Sequence, residues 1–215
     1  MPLETPCRLL LLGATGAVGQ QALQQALADP RVAQVVAPTR KPLPAHPKLL
    51  NPQPDFKALP ADADWWRVGA VVCALGTTIK VAGSQAAFAA IDRDLPIEAA
   101  RLARQGGARS LALNSSLGAS AKGNFYLRTK AEAEAGIRAL GFESFTTVRP
   151  SLIDAHREPP RLGETLGLAA ARLFAWLIPA RYRPVKADAI ARALLAAALQ
   201  AAPGEHVVES EAIGP

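Results

Sequence analysis

The chain has 215 residues, half of them hydrophobic and 20% charged, which suits one domain with a sizeable core and excludes a disordered segment. Its formal charge is +6, yet lysines and arginines are scattered and no nucleic-acid recognition module is visible, so no nucleic-acid partner is expected. No signal peptide opens the chain, the apolar stretch from Leu166 to Ile178 is too short to span a bilayer, and Cys7 and Cys73 beside strand-like runs read as buried free thiols in a reducing cytoplasm.

The stretch Arg8 to Leu27, RLLLLGATGAVGQQALQQAL, organises the rest of the chain. Leu9 to Leu12 is a continuous apolar run, as a strand buried on both faces of a parallel sheet requires. Gly13, Gly16 and Gly19 then stand three residues apart before an amphipathic helix. A dinucleotide site needs this order, because backbone must turn tightly off the strand and approach a pyrophosphate with no Cβ in the way. Thr15, Ala17 and Val18 belong to the same cradle, with the phosphates on the helix N-terminus.

Asp29 and Pro30 stop that helix, and Arg31 to Ala37 resumes as a valine-rich second strand. At its end, where an acidic residue would bind the ribose 2′-hydroxyl of NAD, stand Arg40 and Lys41. Two cations suit a 2′-phosphate, so the expected cofactor is NADP(H) rather than NAD(H). Pro42 to Pro60 reads as a surface connection with a short third strand near Leu49 and Leu50, and with Asp55 and Phe56 bordering the adenine. Asp62 to Arg67 suits a helical turn or two, and Val68 to Leu75 a buried fourth strand ending at Gly76. Ala74, Leu75, Gly76 and Thr77 would then face the cofactor's phosphates and ribose. Ser84 to Gln105 is mostly helical, with a break or new start at Pro96, and Asp92 and Asp94 beside it read as solvated or capping carboxylates. His46, His156 and His206 are far apart and make no case for a metal.

Arg109 to Asn114 makes a fifth strand running into Ser115 and Ser116, and Asn124 to Leu140 a helix that puts Tyr126 and Lys130 on one face. A phenol titrates near pH 10, so proton transfer near neutrality needs a nearby cation to favour the phenolate. Lys130 supplies that cation and would also hold the nicotinamide ribose, while Ser116, with Ser115 as the alternative, would hydrogen-bond a substrate carbonyl oxygen. Ser144 to Val148 is a sixth strand, after which the backbone of Pro150, Ser151 and Leu152 would meet the nicotinamide amide. Ile153 to Gly163 resembles a substrate-side loop whose Arg157 and Arg161 read as solvated. Gly163 to Leu177 is an apolar helix, read as core or lid, with a dimer seam or a membrane surface as alternatives. Ala187 to Ala201 is an alanine-rich helix, and His206 to Glu209 a last strand.

With Gly13-x-x-Gly16-x-x-Gly19, Cys73-Ala-Leu-Gly-Thr-Thr78, Phe88-x-x-Ile-Asp92, Asn114-Ser-Ser116, Tyr126-x-x-x-Lys130 and Arg149-Pro150 in this order, the chain resembles the short-chain dehydrogenase/reductase superfamily. Within it, the chain looks like the atypical Tat-interacting oxidoreductase-like branch. The resemblance implies a Rossmann fold that binds NADP(H), and either turnover or a regulatory role with little of it. The expectation is therefore an α/β, doubly wound, mostly parallel sheet with helices on both faces. It forms a single domain over 1–215, elaborated around 153–185. The expected function is NADP(H)-dependent hydride transfer to or from a small carbonyl or alcohol substrate, with Tyr126 as acid/base. A catalytically weak NADP(H)-binding regulator or scaffold is the alternative, and a homodimer is compatible with either.

Overall fold

A computed structural model describes residues 6–154 and 179–214. The expected helix over 163–177, His156, Arg157 and Arg161 lie outside the described residues. Seven strands form one sheet in the order β3-β2-β1-β4-β5-β6-β9, every neighbouring pair parallel. They are β1 (Cys7–Leu12), β2 (Val32–Val36), β3 (Leu49–Leu50), β4 (Ala70–Cys73), β5 (Ser110–Asn114), β6 (Ser144–Arg149) and β9 (Gly204–Glu209). A small separate pair joins β7 (Ile153–Asp154) to β8 (Val185–Lys186). The expected doubly wound parallel sheet is thus present, while the β7–β8 pair is too short to show a periodicity.

Alternation along the strands explains why both faces need covering. Leu9 and Leu11 of β1 join one buried cluster with residues of α1 (Ala17–Ala28) and α6 (Ala187–Gln200). Leu10 and Leu12 join a second with α4 (Leu95–Gln105) and Ile137 of α5 (Phe125–Arg138). A strand covered on both sides has no use for polar alternation, hence the unbroken leucine run. Cys7 and Cys73 are free and buried within these layers, as expected. Among the described residues no helix is long and apolar enough to cross a membrane.

The region 79–105 departs from its sequence reading. Short helices α2 (Ile79–Ala82) and α3 (Gln85–Ala89) lead into a π-helical turn over Ala90–Asp94, which continues directly into α4. Pro96 has no N–H to give the Asp92 carbonyl four residues back, and the ladder widens there, with Leu95 N–H bonding to Ala90 O. The proline shifts the helix instead of ending it.

The chain reverses its direction of growth between β1 and β4, which opens a crevice at the carboxyl ends of these strands. Its walls touch. Gly13 adopts φ +83°, and a Cβ there would fall 2.6 Å from the Ala74 carbonyl oxygen at the end of β4. At Gly19, in the first turns of α1, a Cβ would penetrate the carbonyl oxygen of Gly13. Both glycines are required by backbone packed on backbone, which cannot yield as a side chain can. We predict that Gly19→Ala destabilises the protein by about 1–3 kcal/mol or more, overpacking outweighing the gain in helix propensity of about 1 kcal/mol. Urea unfolding measures this, and a midpoint equal to or above that of the parent would contradict the packing described.

Candidate functional site

The site is assembled at the carboxyl edge from the loops after β1, β2, β4, β5 and β6, together with one face of α5. At the head of α1, Gly16 is exposed, no side chain caps the helix, and its first turn carries no acidic residue. The unpaired N–H groups of this turn and the helix dipole therefore favour an anion. After β2, buried Thr39 accepts a hydrogen bond from Asn51 Nδ2 at 2.8 Å and donates to Lys41 O at 2.6 Å. That staple shapes the turn bearing Arg40 and Lys41. Both are exposed, and neither side chain has a partner among the described residues.

The π-helical turn produces the main correction to the sequence reading. Asp92 is not solvated: its side chain has no exposure, and its Oδ1 lies 2.7 Å from Lys130 Nζ, itself only 8% exposed. Its Oδ2 accepts the Thr77 N–H at 2.9 Å. One carboxylate therefore links the turn after β4 to the lysine of α5. Asp94 is the exposed carboxylate of the two, paired with Arg93, which also bridges to Glu132 of α5 at 2.8 Å. Counting residues finds both aspartates beside the proline but cannot tell which one a widened helical turn directs inward.

Asn124 caps α5 by accepting from the Leu127 N–H at 3.0 Å, and Tyr126 and Lys130 then share a face as expected. The Lys130 ammonium lies 5.9 Å from the centre of the Tyr126 ring. Fully buried Phe88 packs against that ring, centroid to centroid 5.5 Å. The segment Phe88-x-x-Ile-Asp92 thus supports the phenol with one end and the lysine with the other. Cys73, at the end of β4, is held as a neutral thiol because burial pushes its pKa up to about 11.

The two serines separate by environment. Ser115 is buried and donates to Glu134 Oε1 at 2.5 Å. Glu134 also receives Arg149 through Nε at 3.0 Å and Nη2 at 2.6 Å, and Arg149 reaches Glu209 of β9 at 3.2 Å. This removes Ser115 as a donor toward substrate, since its proton is already committed to a carboxylate. Ser116 is partly exposed, and among the described residues its Oγ makes only a long 3.5 Å contact to Leu117 O. Glu134, absent from the sequence reading, continues the four-residue spacing of Tyr126 and Lys130, a signal that could have found it.

Beyond β6, Pro150 O accepts from Leu117 N–H at 2.8 Å, Ser151 N–H donates to Ser210 Oγ at 3.1 Å, and Leu152 O accepts from Val185 N–H at 2.8 Å. The backbone reserved for a nicotinamide amide is thus largely engaged with protein, because the loop after β5, the turn after β9 and β8 anchor it. A dinucleotide nonetheless fits the site: a cradle where Gly13 and Gly19 exclude Cβ atoms, an uncapped helix N-terminus, and cations after β2 that have no partner among the described residues. Asn114 Oδ1, at the end of β5, is also buried without a protein partner among the described residues.

No family model matches the chain. The protein fmp52, mitochondrial, of Emericella nidulans is 34% identical over 222 residues, spanning 94% of this chain and 92% of that protein. The protein HTATIP2 of Rattus norvegicus is 32% identical over 164 residues, spanning 74% and 67%. Among solved structures, MoeE5 in complex with UDP-glucose and NAD superposes with a TM-score of 0.70 at 16% identity, covering 96% of this chain and 79% of that one. At that identity the likeness concerns the fold. The word mitochondrial in the names of the fmp52 relatives overturns the expected cytoplasmic location. Buried free thiols are compatible with any reducing surroundings and do not single out a compartment. By these relatives the chain belongs to the family of the fmp52 and HTATIP2 proteins, and it shares its α/β fold with MoeE5.

Proposed function

We propose that the protein is an NADP(H)-dependent oxidoreductase acting on a small carbonyl or alcohol. The observation that carries this reading is the convergence of Tyr126, Lys130 and Asp92 beneath the Gly76–Thr77 turn, at the edge that also bears the glycine cradle. The cofactor, when bound, supplies or accepts the hydride. Gly13 to Gly19 and the first turn of α1 hold its pyrophosphate by backbone N–H groups, and Arg40 and Lys41 hold a 2′-phosphate. Tyr126 gives a proton to the substrate oxygen, or takes one from it, at its phenol oxygen. The Lys130 ammonium stabilises negative charge developing there, and Ser116 donates a hydrogen bond to the same substrate oxygen. Phe88 fixes the phenol ring, which keeps the proton path short and reproducible.

Two experiments test this reading. Across a panel of aldehydes, ketones and quinones, Tyr126→Phe is expected to lower NADPH turnover by about 10²- to 10⁴-fold while NADPH binding persists. Binding without turnover of any panel member by the parent would instead indicate a cofactor-binding regulator. For the cofactor, Arg40→Ala is expected to weaken NADPH binding by roughly ten- to a hundredfold with little effect on NADH, the worth of a hydrogen bond to a charged group. An unchanged preference between the two in titration calorimetry would remove the assigned phosphate clamp.

A further inference from the structure

Lys130 carries a full positive charge into a nearly closed position, and something must balance it. Asp92 is the carboxylate that does so, at 2.7 Å and with no solvent exposure. The other carboxylates nearby are already committed: Asp94 and Glu132 to Arg93, and Glu134 to Arg149. Cys73 adds no charge, since burial keeps it a thiol. The pair lies just under Gly76, where a Cβ would come within 3.6 Å of Asp92 Oδ1 and 3.8 Å of Lys130 Nζ. It is therefore covered from the cofactor edge by a residue without a side chain.

The two redox forms of a nicotinamide differ by one positive charge on the ring, carried only by the oxidised form. A bare ammonium at this edge would repel that form selectively. We propose that Asp92 neutralises Lys130 so that the site accepts oxidised and reduced nicotinamide alike, which makes Asp92 a positioning and charge-balancing residue that sets the preference between cofactor redox states. The inference rests on the proposed oxidoreductase function, in which the nicotinamide end of the cofactor lies beside Lys130. It also accounts for the hydrogen bond from Thr77 N–H to the same carboxylate, which holds Asp92 in place between the turn and the lysine.

The test needs no substrate. Dissociation constants for NADP⁺ and NADPH are measured by titration calorimetry at pH 8 for the parent, Asp92→Asn, Lys130→Met and the double variant. Asp92→Asn is expected to raise the ratio of the NADP⁺ to the NADPH constant by roughly fivefold or more, the scale of one uncompensated charge in a partly buried site. Lys130→Met, which leaves the carboxylate unbalanced, is expected to shift the ratio the opposite way. The double variant, with both charges removed, should return to within about twofold of the parent ratio. Equal weakening of both forms by each single variant is what a purely structural role produces, and it would overturn the proposal. Should Asp92→Asn fail to fold, the direction of the Lys130→Met shift decides. A parent that binds neither form overturns the underlying functional reading as well, whereas binding with unmoved ratios overturns this inference alone.

Discussion

A carboxylate with no exposure and an ammonium almost as deeply buried face each other at 2.7 Å between the π-helical turn and α5. Taking both ions out of water costs several kcal/mol each, and their attraction offsets this only when the geometry is good. Such a pair is weak evidence for net stability, but losing either member alone costs about 3–5 kcal/mol, because an unpaired charge is left behind. What the pair enforces is position. The pair joins α5 to the π-helical turn, and through the Thr77 N–H bonded to Asp92 it reaches the turn after β4 as well. Much of the geometry of the carboxyl edge follows from this one contact.

The face of α5 is organised around the same principle at three successive positions. Tyr126 rests on Phe88, Lys130 on Asp92, and Glu134 on Ser115 and Arg149. Each contact reaches a different element: α3, the π-helical turn, and the ends of β5 and β6. A helix tied at three points along one stripe has little freedom to roll or slide, which is the pre-organisation an acid/base residue needs. The glycine cradle is held as firmly by a different means, since the loops after β1 and β4 meet backbone to backbone at Gly13 and Ala74. The two halves of the crevice are thus rigid for different reasons, one through steric exclusion and the other through paired charge.

The parallel sheet, its strand positions and the glycine cradle were legible in the residues. Their signals are local: apolar runs that need two covering layers, glycines at a turn, a proline or aspartate at a helix end. Tyr126 and Lys130 were legible for the same reason, because a spacing of four on one helix puts them on one face whatever surrounds it. Asp92 was not, although it stands in the segment that carries the family resemblance. Near Pro96 its charge suits a solvated or capping residue equally well, and only the widened turn and the packing of α5 against it make it a buried counter-ion. The two adjacent serines posed the same difficulty, since neighbours in sequence differ here by which one faces Glu134.

The sequence by itself determined the layered α/β architecture, the crevice between β1 and β4, and the candidates for cofactor and proton chemistry, since periodicity and backbone stereochemistry act over a few residues. Only the tertiary structure decided which carboxylate balances Lys130, which serine keeps its hydroxyl available, and that the backbone after β6 is largely held by β8 and by the segments that follow β5 and β9. Those choices depend on charges and hydrogen-bond partners from elements far apart in the chain. Burial leaves each such group without water as an alternative partner, and burial is a property of the assembled fold.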